Sequence, residues 1–274
     1  MSDIASQAGA VPLVTQSAPP RHIAIIMDGN SRWARDRGVS RAAGHKAGAE
    51  AIRVVLRACI ERGVEALTVF AFSSENWQRS PAEVSALMQL FSLYLGSEVK
   101  KLHKDNIRLR FIGDRSRLKP ALVQRMIEAE QLTAKNSRFT FVIAVDYGGQ
   151  WDIAHAARLL AEQVKSGQLE PAAITPELID QHIALSDLPK PDLCIRTAGE
   201  QRISNFLLWQ LAYAELYFAD IFWPDFNAAE LDKALATFAN RERRYGARLD
   251  DADDDTSAFD QLVDDDEADE VRNA

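Results

Sequence analysis

Charged and polar side chains follow directly after the first apolar segment of the chain. The segment "HIAIIM" leads into "DGNSRWARDRG", which places the carboxylate of Asp28 ahead of a turn and a run of basic groups. The neighbouring residues that could contact an anion are Gly29, Asn30, Ser31, Arg32, Trp33, Arg35, Arg37, Arg41 and His45. Backbone amides at a turn and a helix start attract phosphate, arginine donates paired hydrogen bonds to it, and a carboxylate among them can hold Mg²⁺. A strand-ending turn would explain "DGN" alone, but the basic groups around it favour phosphate binding.

A second polar loop follows the apolar segment "TVFAF". It contains Ser73, Ser74, Glu75, Asn76, Trp77 and Arg79. Directly after it, Ser80, Pro81 and Glu83 have the spacing of a capping box with proline at the first helical position, so these three have a structural role. The residues before them are not needed for that cap. We therefore expect them to lie near the first loop and to contact the same ligand.

A third polar loop, "RTAGEQRIS", follows "PDLCI" and supplies Arg196, Arg202 and Ser204. Further along, Glu215 lies inside the apolar segment "AYAELYF". A buried carboxylate costs several kcal/mol unless it is paired or binds a metal. Glu215 is therefore the second candidate metal ligand after Asp28.

Strand-like and helix-like segments alternate along the chain. Five apolar runs, "HIAIIMD", "EALTVFAF", "IRLRFIG", "FTFVIAV" and "PDLCIRT", are predicted strands. Helices are predicted over 44–62, from Ser80 onward, over 116–134, over 149–166 and over 227–244, with a short helix and a last strand inside "NFLLWQLAYAELYF". This pattern predicts an α/β fold with a mostly parallel central sheet of about six strands flanked by helices. Ligands of such sheets bind beyond the carboxyl ends of the strands, where the three polar loops begin.

The helix after the second loop, "EVSALMQLFSLYLGSEV", is apolar nearly all round. Such a helix is usually buried on two sides, and the alternative is that one side lines an apolar channel.

Composition and charge indicate one globular domain, 21–248, between a disordered leader, 1–20, and an acidic disordered tail, 249–274. The net charge of the 274-residue chain is -8, but residues 250–274 carry twelve acidic residues and one arginine. The remaining 31 basic and 28 acidic residues give residues 1–249 a charge of +3, with the arginines grouped in loops. This distribution suits a small anionic substrate and argues against nucleic acid, which requires a long basic surface.

The expected cellular location depends on the signal-peptide and membrane-spanning patterns of the sequence. The first 20 residues have no basic segment followed by an apolar core, which argues against a signal peptide. No run of about 18 apolar residues is present, so we expect at most peripheral membrane contact. Cys59 and Cys194 lie in apolar segments without metal-ligand spacing. We therefore expect a cytoplasmic protein with reduced, buried thiols, loosely associated at most with the inner face of the membrane.

Several long motifs resemble those of the cis-prenyltransferase family. They are "HIAIIMDGNSRWA", "FAFSSENWQR", "RTAGEQRISNFLLWQLAYAELYF" and "WPDF", and the resemblance covers roughly residues 20–246. It implies successive addition of isopentenyl diphosphate to an allylic starter such as farnesyl diphosphate. The implied product is a long Z-polyprenyl diphosphate, undecaprenyl diphosphate in particular, which is the precursor of a lipid carrier for cell-wall synthesis. It also implies Mg²⁺ as cofactor, a homodimer, and an apolar tunnel beside the sheet.

The same resemblance assigns roles by position. Asp28 becomes the catalytic acid and a Mg²⁺ ligand, Asn76 the proton acceptor, and Glu215 the second Mg²⁺ ligand. Substrate contacts are implied for Gly29, Asn30, Ser31, Arg32, Trp33, Arg41, His45, Ser73, Ser74, Glu75, Trp77, Arg79, Arg196, Arg202, Ile203 and Ser204. Product length would depend on tunnel packing around Ala71, Leu87, Met88, Leu95, Phe139 and Phe141.

Three residues depart from the family pattern. Ser31 replaces a glycine, which is unfavourable if that position needs a positive φ angle. Asp146 replaces an asparagine, and its charge would repel phosphate unless it is protonated or turned away. Gln201 replaces a histidine that some relatives have near the metal, so we expect looser metal coordination.

Two other functions are compatible with parts of the sequence. An aspartyl phosphatase also presents a nucleophilic aspartate at the end of a strand, but Asn30 stands where such enzymes normally have a second acid. A lipid-diphosphate carrier or an inactive partner subunit would share the fold, but the full set of candidate catalytic residues argues against it. The tail sequences "DDADD" and "DDEAD" match the metal motif of trans-prenyltransferases. They lack the long apolar helices of those enzymes, so we interpret both matches as coincidental.

Overall fold

The structure is a computed structural model that describes residues 18–240, and within them six parallel strands form one sheet in the order β3-β4-β2-β1-β5-β6. The strands are β1 His22–Ile26, β2 Ala66–Ser73, β3 Ile107–Ile112, β4 Phe139–Tyr147, β5 Leu193–Arg196 and β6 Glu215–Phe218. The predicted α/β class and strand number are confirmed. Most of the predicted leader and the whole acidic tail lie outside the described residues.

Seven helices are described in the same part of the chain. They are α1 Asn30–Asp36, α2 Arg41–Glu61, α3 Pro81–Lys104, α4 Pro120–Thr133, α5 Gly149–Lys165, α6 Pro176–His182 and α7 Ala228–Ala239. The five long helices were predicted, with starts that differ by up to four residues. The short helices α1 and α6 were not, because seven mostly polar residues give no apolar periodicity. No helix in 18–240 is both long enough and apolar enough to cross a membrane.

The predicted short helix inside "NFLLWQLAYAELYF" is wrong. Residues 204–213 form successive turns, and Ser204, Asn205 and Leu207 have φ angles of 47°, 61° and 44°. These left-handed conformations are incompatible with a right-handed helix. The turns instead bury Phe206, which stacks on Phe70 with ring centroids 4.4 Å apart.

Apolar residues on both faces of the sheet explain its continuous hydrophobic strands. All five residues of β1 are buried: Ile23 and Ile25 pack in one core and Ala24 and Ile26 in the other. Helices α2, α3, α4 and α7 cover the first face, whereas the turns of 204–213 pack on the second. Such two-sided burial is characteristic of parallel sheets. Among the residues that become buried are the free thiols of Cys59 and Cys194, and burial raises the pKa of each to about 12.

The register of the central strands brings the polar loops to one edge. Ile26, near the end of β1, is opposite Phe70 of β2 and Arg196 of β5. The loops that follow these three strands therefore leave the sheet side by side, as predicted.

Candidate active site

The carboxylate of Asp28 lies between two guanidinium groups. Its Oδ2 accepts a hydrogen bond from Arg196 Nη2 at 2.8 Å, and its Oδ1 accepts one from Arg32 Nη2 at 3.1 Å. The backbone of Asp28 is held as well, because its amide donates to Thr197 Oγ1 at 2.9 Å and its carbonyl accepts from that hydroxyl at 2.7 Å. The Arg196 side chain is 5% exposed, whereas that of Asp28 is 30% exposed. The carboxylate is thus fixed at the sheet edge and still open to a ligand.

The surroundings of Asp28 favour its ionised form. Partial burial acts to raise its pKa, but the hydrogen bonds and positive charges of Arg196 and Arg32 outweigh burial and hold the pKa below its ordinary value. The group is therefore an anionic oxygen donor at neutral pH.

A second carboxylate, Glu200, extends this arrangement. Its Oε1 accepts from Arg32 Nη1 at 2.9 Å, and its other oxygen pairs with Arg202. Arginines and carboxylates consequently alternate along the edge, and the cluster has one positive charge in excess. Their order is Arg196, Asp28, Arg32, Glu200 and Arg202. Sequence reasoning did not select Glu200, although an acid between the arginines of "RTAGEQR" was a usable signal.

Arg196 also organises the third loop. Its Nη1 donates to the carbonyl of Arg202 at 2.5 Å and to Ser204 Oγ at 2.7 Å. The left-handed conformation of Ser204 turns the loop back toward β5. The structure thereby brings Arg196, Arg202, Ile203 and Ser204 to the Asp28 edge of the sheet.

Four buried polar atoms near this edge have no hydrogen-bond partner among the described residues. They are Asn30 Oδ1, His45 Nε2, Trp77 Nε1 and Arg196 Nε. An unpaired buried polar group costs about 1–3 kcal/mol, so each of these atoms is available to bond a ligand or a water molecule. All four belong to residues that the sequence predicted as substrate contacts.

His45 is neutral at physiological pH. Burial lowers its pKa, the charges of Arg79 and Arg41 lower it further, and Glu83 opposes them only in part. The ring therefore offers one donor and one acceptor nitrogen.

The second loop forms a short 3₁₀ turn, Ser74–Gln78. The carboxamide oxygen of Asn76 accepts from the Ser73 amide at 3.1 Å, so the atom that a proton acceptor would use is already bonded. Glu75 Oε1 accepts from Asn205 Nδ2 at 2.8 Å and from Ser74 Oγ at 3.1 Å. These bonds join the second loop to the third.

The capping box predicted before α3 is half correct. Ser80 Oγ accepts from the Glu83 amide at 3.3 Å, and Pro81 is the first helical residue. The Glu83 carboxylate does not return to the cap. It accepts from Arg79 at 3.0 Å and from Arg41 at 3.3 Å, and so holds both guanidinium groups beside the site.

The backbone conformation of the first loop and of α1 accounts for the residue types at positions 29 and 31. Gly29 has a φ of 106°, and a Cβ there would lie 2.7 Å from Phe222, so glycine is required. Ser31 lies in α1 and has no positive φ, so serine is accommodated without strain. Trp33 has a structural contact, because its Nε1 donates to Asp225 at 2.8 Å.

Asp146 is turned away from the site. It has a φ of 53°, a conformation that Asp and Asn tolerate better than most residues. Its fully buried carboxylate pairs with Arg117 through both oxygens, one of them 2.9 Å from Nε. The expected repulsion of phosphate is therefore avoided by pairing.

An apolar cavity of about 190 Å³ lies between α2, α3 and the sheet. Asn30 and His45 line it, and so do five of the six residues named for a tunnel: Ala71, Leu87, Met88, Leu95 and Phe141. Phe139 is buried in the core and is not part of the lining. Helix α3 is apolar on two sides because one packs against β3 and α4 and another lines this cavity.

The two predicted metal ligands do not meet within one chain. Glu215 is the first residue of β6 and lies opposite Leu193 of β5. Arg196, at the Asp28 edge, lies opposite Phe218, three residues further along β6. Three strand residues span about 10 Å, so Glu215 starts well below the edge that carries Asp28. Within 18–240 no cluster of three or more His, Cys, Asp or Glu could hold a metal. One carboxylate nevertheless suits Mg²⁺, which is often held by one or two carboxylates and substrate phosphates.

Gln201 is exposed on the third loop.

The chain is similar to known proteins over most of its length. The family described as "Putative undecaprenyl diphosphate synthase" matches residues 26–246. A ditrans,polycis-undecaprenyl-diphosphate synthase ((2E,6E)-farnesyl-diphosphate specific) of Pseudomonas syringae pv. tomato is 60% identical over 84% of this chain and 92% of its own length.

Two solved structures share the fold. Lavandulyl diphosphate synthase from Lavandula x intermedia, in complex with dimethylallyl diphosphate, has a TM-score of 0.81 and 41% identity over 84% of this chain and 99% of its own. A probable undecaprenyl diphosphate synthase from Campylobacter jejuni has a TM-score of 0.70 and 31% identity, covering 83% and 98%. Because the family match spans most of the chain and all three loops, this chain belongs to the undecaprenyl diphosphate synthase family of cis-prenyltransferases.

Proposed function

We propose that this protein condenses isopentenyl diphosphate units onto farnesyl diphosphate and forms a long Z-polyprenyl diphosphate, undecaprenyl diphosphate. The observation that carries the proposal is the ionised Asp28 between Arg196 and Arg32, near an apolar cavity that Asn30 lines. A diphosphate head fits the guanidinium groups and a hydrocarbon chain fits the cavity. The named activity of the relatives supports the same reaction.

The chain's own residues account for the polar part of the chemistry. As the allylic carbon–oxygen bond breaks, negative charge grows on the departing diphosphate, and fixed guanidinium groups stabilise it. The new carbon–carbon bond forms from the double bond of isopentenyl diphosphate, and a proton then leaves its second carbon. Because the oxygen of Asn76 is bonded to the Ser73 amide, proton transfer to Asn76 requires that bond to open. The alternative acceptor is a phosphate oxygen of the substrate.

The proposal includes Mg²⁺. Asp28 is the side chain placed to hold it, together with substrate diphosphate oxygens. When bound, the ion supplies positive charge against the leaving group.

The proposal also includes a homodimer. Strand β6 has a sheet neighbour on one side only among the described residues. Glu215, at the start of this strand, is far from Asp28 of its own chain, so a role as metal ligand is compatible with contribution from a second subunit. A cytoplasmic location, peripheral membrane contact for product release and a role in cell-wall synthesis complete the proposal.

The test is a direct assay. Purified protein is incubated with farnesyl diphosphate, labelled isopentenyl diphosphate and Mg²⁺, and the product is sized and its double-bond geometry determined. We expect Z-polyprenyl product with chelator-sensitive turnover. Dimethylallyl diphosphate without isopentenyl diphosphate should give no condensation. Phosphate release without chain growth would indicate a phosphatase, and tight binding without turnover would indicate a carrier.

A further inference from the structure

A second cavity lies on the other side of α3, between this helix and the segment that leads into α4. Its volume is about 520 Å³, within the range of small-molecule sites. Its apolar lining comes from Val84 and Met88 of α3 and from Leu118 and Leu122 around the start of α4. Neither Asp28 nor Arg196 lines this cavity, whereas Trp77 and Arg79 of the second loop do.

The polar lining of this cavity is strongly basic. Its charged residues are Arg79, Arg117, Lys119 and Arg125, and no acidic side chain lines it. Trp77 also lines the cavity, and its buried Nε1 has no hydrogen-bond partner among the described residues.

Only two of these positive charges are compensated nearby. Arg79 pairs with Glu83 at 3.0 Å, and Arg117 pairs with Asp146. Arg125 donates to a neutral hydroxyl, Ser92 Oγ, at 2.6 Å. Lys119 has no ion pair within residues 18–240. The cavity therefore combines an apolar interior with two uncompensated cations.

We propose that this cavity binds an anionic amphiphile, which is a single apolar chain with a phosphate or carboxylate head. The chain would lie against Val84, Met88 and Leu122, and the head would pair with Lys119 and Arg125. A neutral chain would leave both cations unpaired, whereas inorganic phosphate would leave the apolar lining unoccupied.

The position of the cavity also implies regulation of the proposed reaction. Met88 lines both this cavity and the apolar cavity beside the sheet. An occupant of the second cavity would therefore contact a wall of the first. This part of the inference rests on the proposed function, and we expect the occupant to change the rate or length of chain growth.

Binding is tested by calorimetric titration of full-length protein with dodecyl phosphate, after saturation of the active site with the unreactive farnesyl thiodiphosphate. We expect one site that persists under saturation and weakens at least tenfold in Lys119→Gln/Arg125→Gln. A matched control, Lys135→Gln/Lys165→Gln, removes two exposed cations outside both cavities and should leave the affinity unchanged.

Further probes identify the head group and guard against misfolded variants. Laurate in place of dodecyl phosphate shows whether carboxylate or phosphate binds more tightly, and either result supports the site. Dodecanol should not bind. Ala121→Trp, which places a large side chain in the cavity lining, should also abolish binding.

Equal affinity in the lysine–arginine variant or in Ala121→Trp would overturn the proposal, and so would equal affinity for dodecanol or loss of binding when the active site is saturated. The regulatory part is measured as product length and rate with and without dodecyl phosphate. An unchanged product in wild type despite binding would overturn regulation alone. A protein that binds the probe but never condenses substrates would contradict the proposed function and leave the site intact.

Discussion

Arg196 and Asp28 are 168 residues apart in sequence, yet Arg196 Nη2 lies 2.8 Å from the Asp28 carboxylate at the edge of the sheet. Adjacent parallel strands create this contact, because β1 and β5 end at the same level. The pair joins a group that can hold a metal to a group that can hold a diphosphate.

Asp28→Ala should lower turnover by about two or more orders of magnitude, as expected for loss of a charge-stabilising group in a transition state. The substitution also leaves Arg196 without its carboxylate partner, so circular dichroism and a melting curve must show that the variant folds. Asp36→Ala, which removes an exposed carboxylate from the end of α1, is the control. Near-normal turnover in Asp28→Ala would exclude this site.

Glu200→Gln should tighten the binding of inorganic diphosphate by a few fold. The Glu200 carboxylate occupies Arg32 and Arg202 in the free protein, and a diphosphate must compete with it for the same donors. Removing its charge frees Arg202 and the Nη1 of Arg32, whose Nη2 still bonds Asp28. Calorimetric titration measures the change, with Glu61→Gln on α2 as control. Weaker binding in Glu200→Gln would mean that this carboxylate positions the arginines and does not compete with the ligand.

Arg202→Ala should raise the KM for isopentenyl diphosphate more than the KM for farnesyl diphosphate. The Arg202 side chain is 62% exposed and, among residues 18–240, pairs only with Glu200, so its removal should leave the fold intact. Arg196→Ala should have the same selectivity and also lower stability, because this buried residue holds Ser204 and the Arg202 carbonyl. Steady-state kinetics with each substrate varied separately provide the test. Equal effects on both KM values would show that the diphosphate sites are assigned wrongly.

His22 should make stability depend on pH between about 6.5 and 4. It is buried, its Nε2 is 2.8 Å from Thr68 Oγ1 and its Nδ1 is 2.7 Å from the Pro189 carbonyl, and burial lowers its pKa from 6.5 to about 4. As pH falls through this window, the unfolded chain takes up a proton that the folded protein does not. The stabilisation is complete above pH 6.5 and decreases by about 3 kcal/mol at most by pH 4.

Urea denaturation at pH 7 and pH 5 measures this dependence, and His22→Gln is the matched variant. We expect the difference in free energy of unfolding between the two pH values to be smaller in the variant. An identical difference would assign the pH dependence to other groups.

The fold was predictable because strand-like apolar runs and helix periodicities are local signals. The convergence of Asp28, Asn76 and Arg196 on one edge followed from the rule that parallel strands present their carboxyl ends together. The bond between Asn76 and the Ser73 amide and the role of Glu200 were not predictable, since both depend on side-chain directions within loops. The left-handed turns after Arg202 were missed because the apolar run "NFLLWQL" resembles a buried helix until its φ angles are known.

Asp146→Asn, which restores the family's usual residue, should change turnover little and lower the free energy of unfolding less than Asp146→Ala does. Asparagine tolerates the φ of 53° at this position, and Arg117, with 45% of its side chain exposed, can be solvated once its partner loses its charge. Asp146→Ala should cost more, because alanine is less favourable in the left-handed region and leaves a void. Urea denaturation of both variants tests the order. If both variants lost the same stability, the ion pair that both remove would outweigh the backbone conformation.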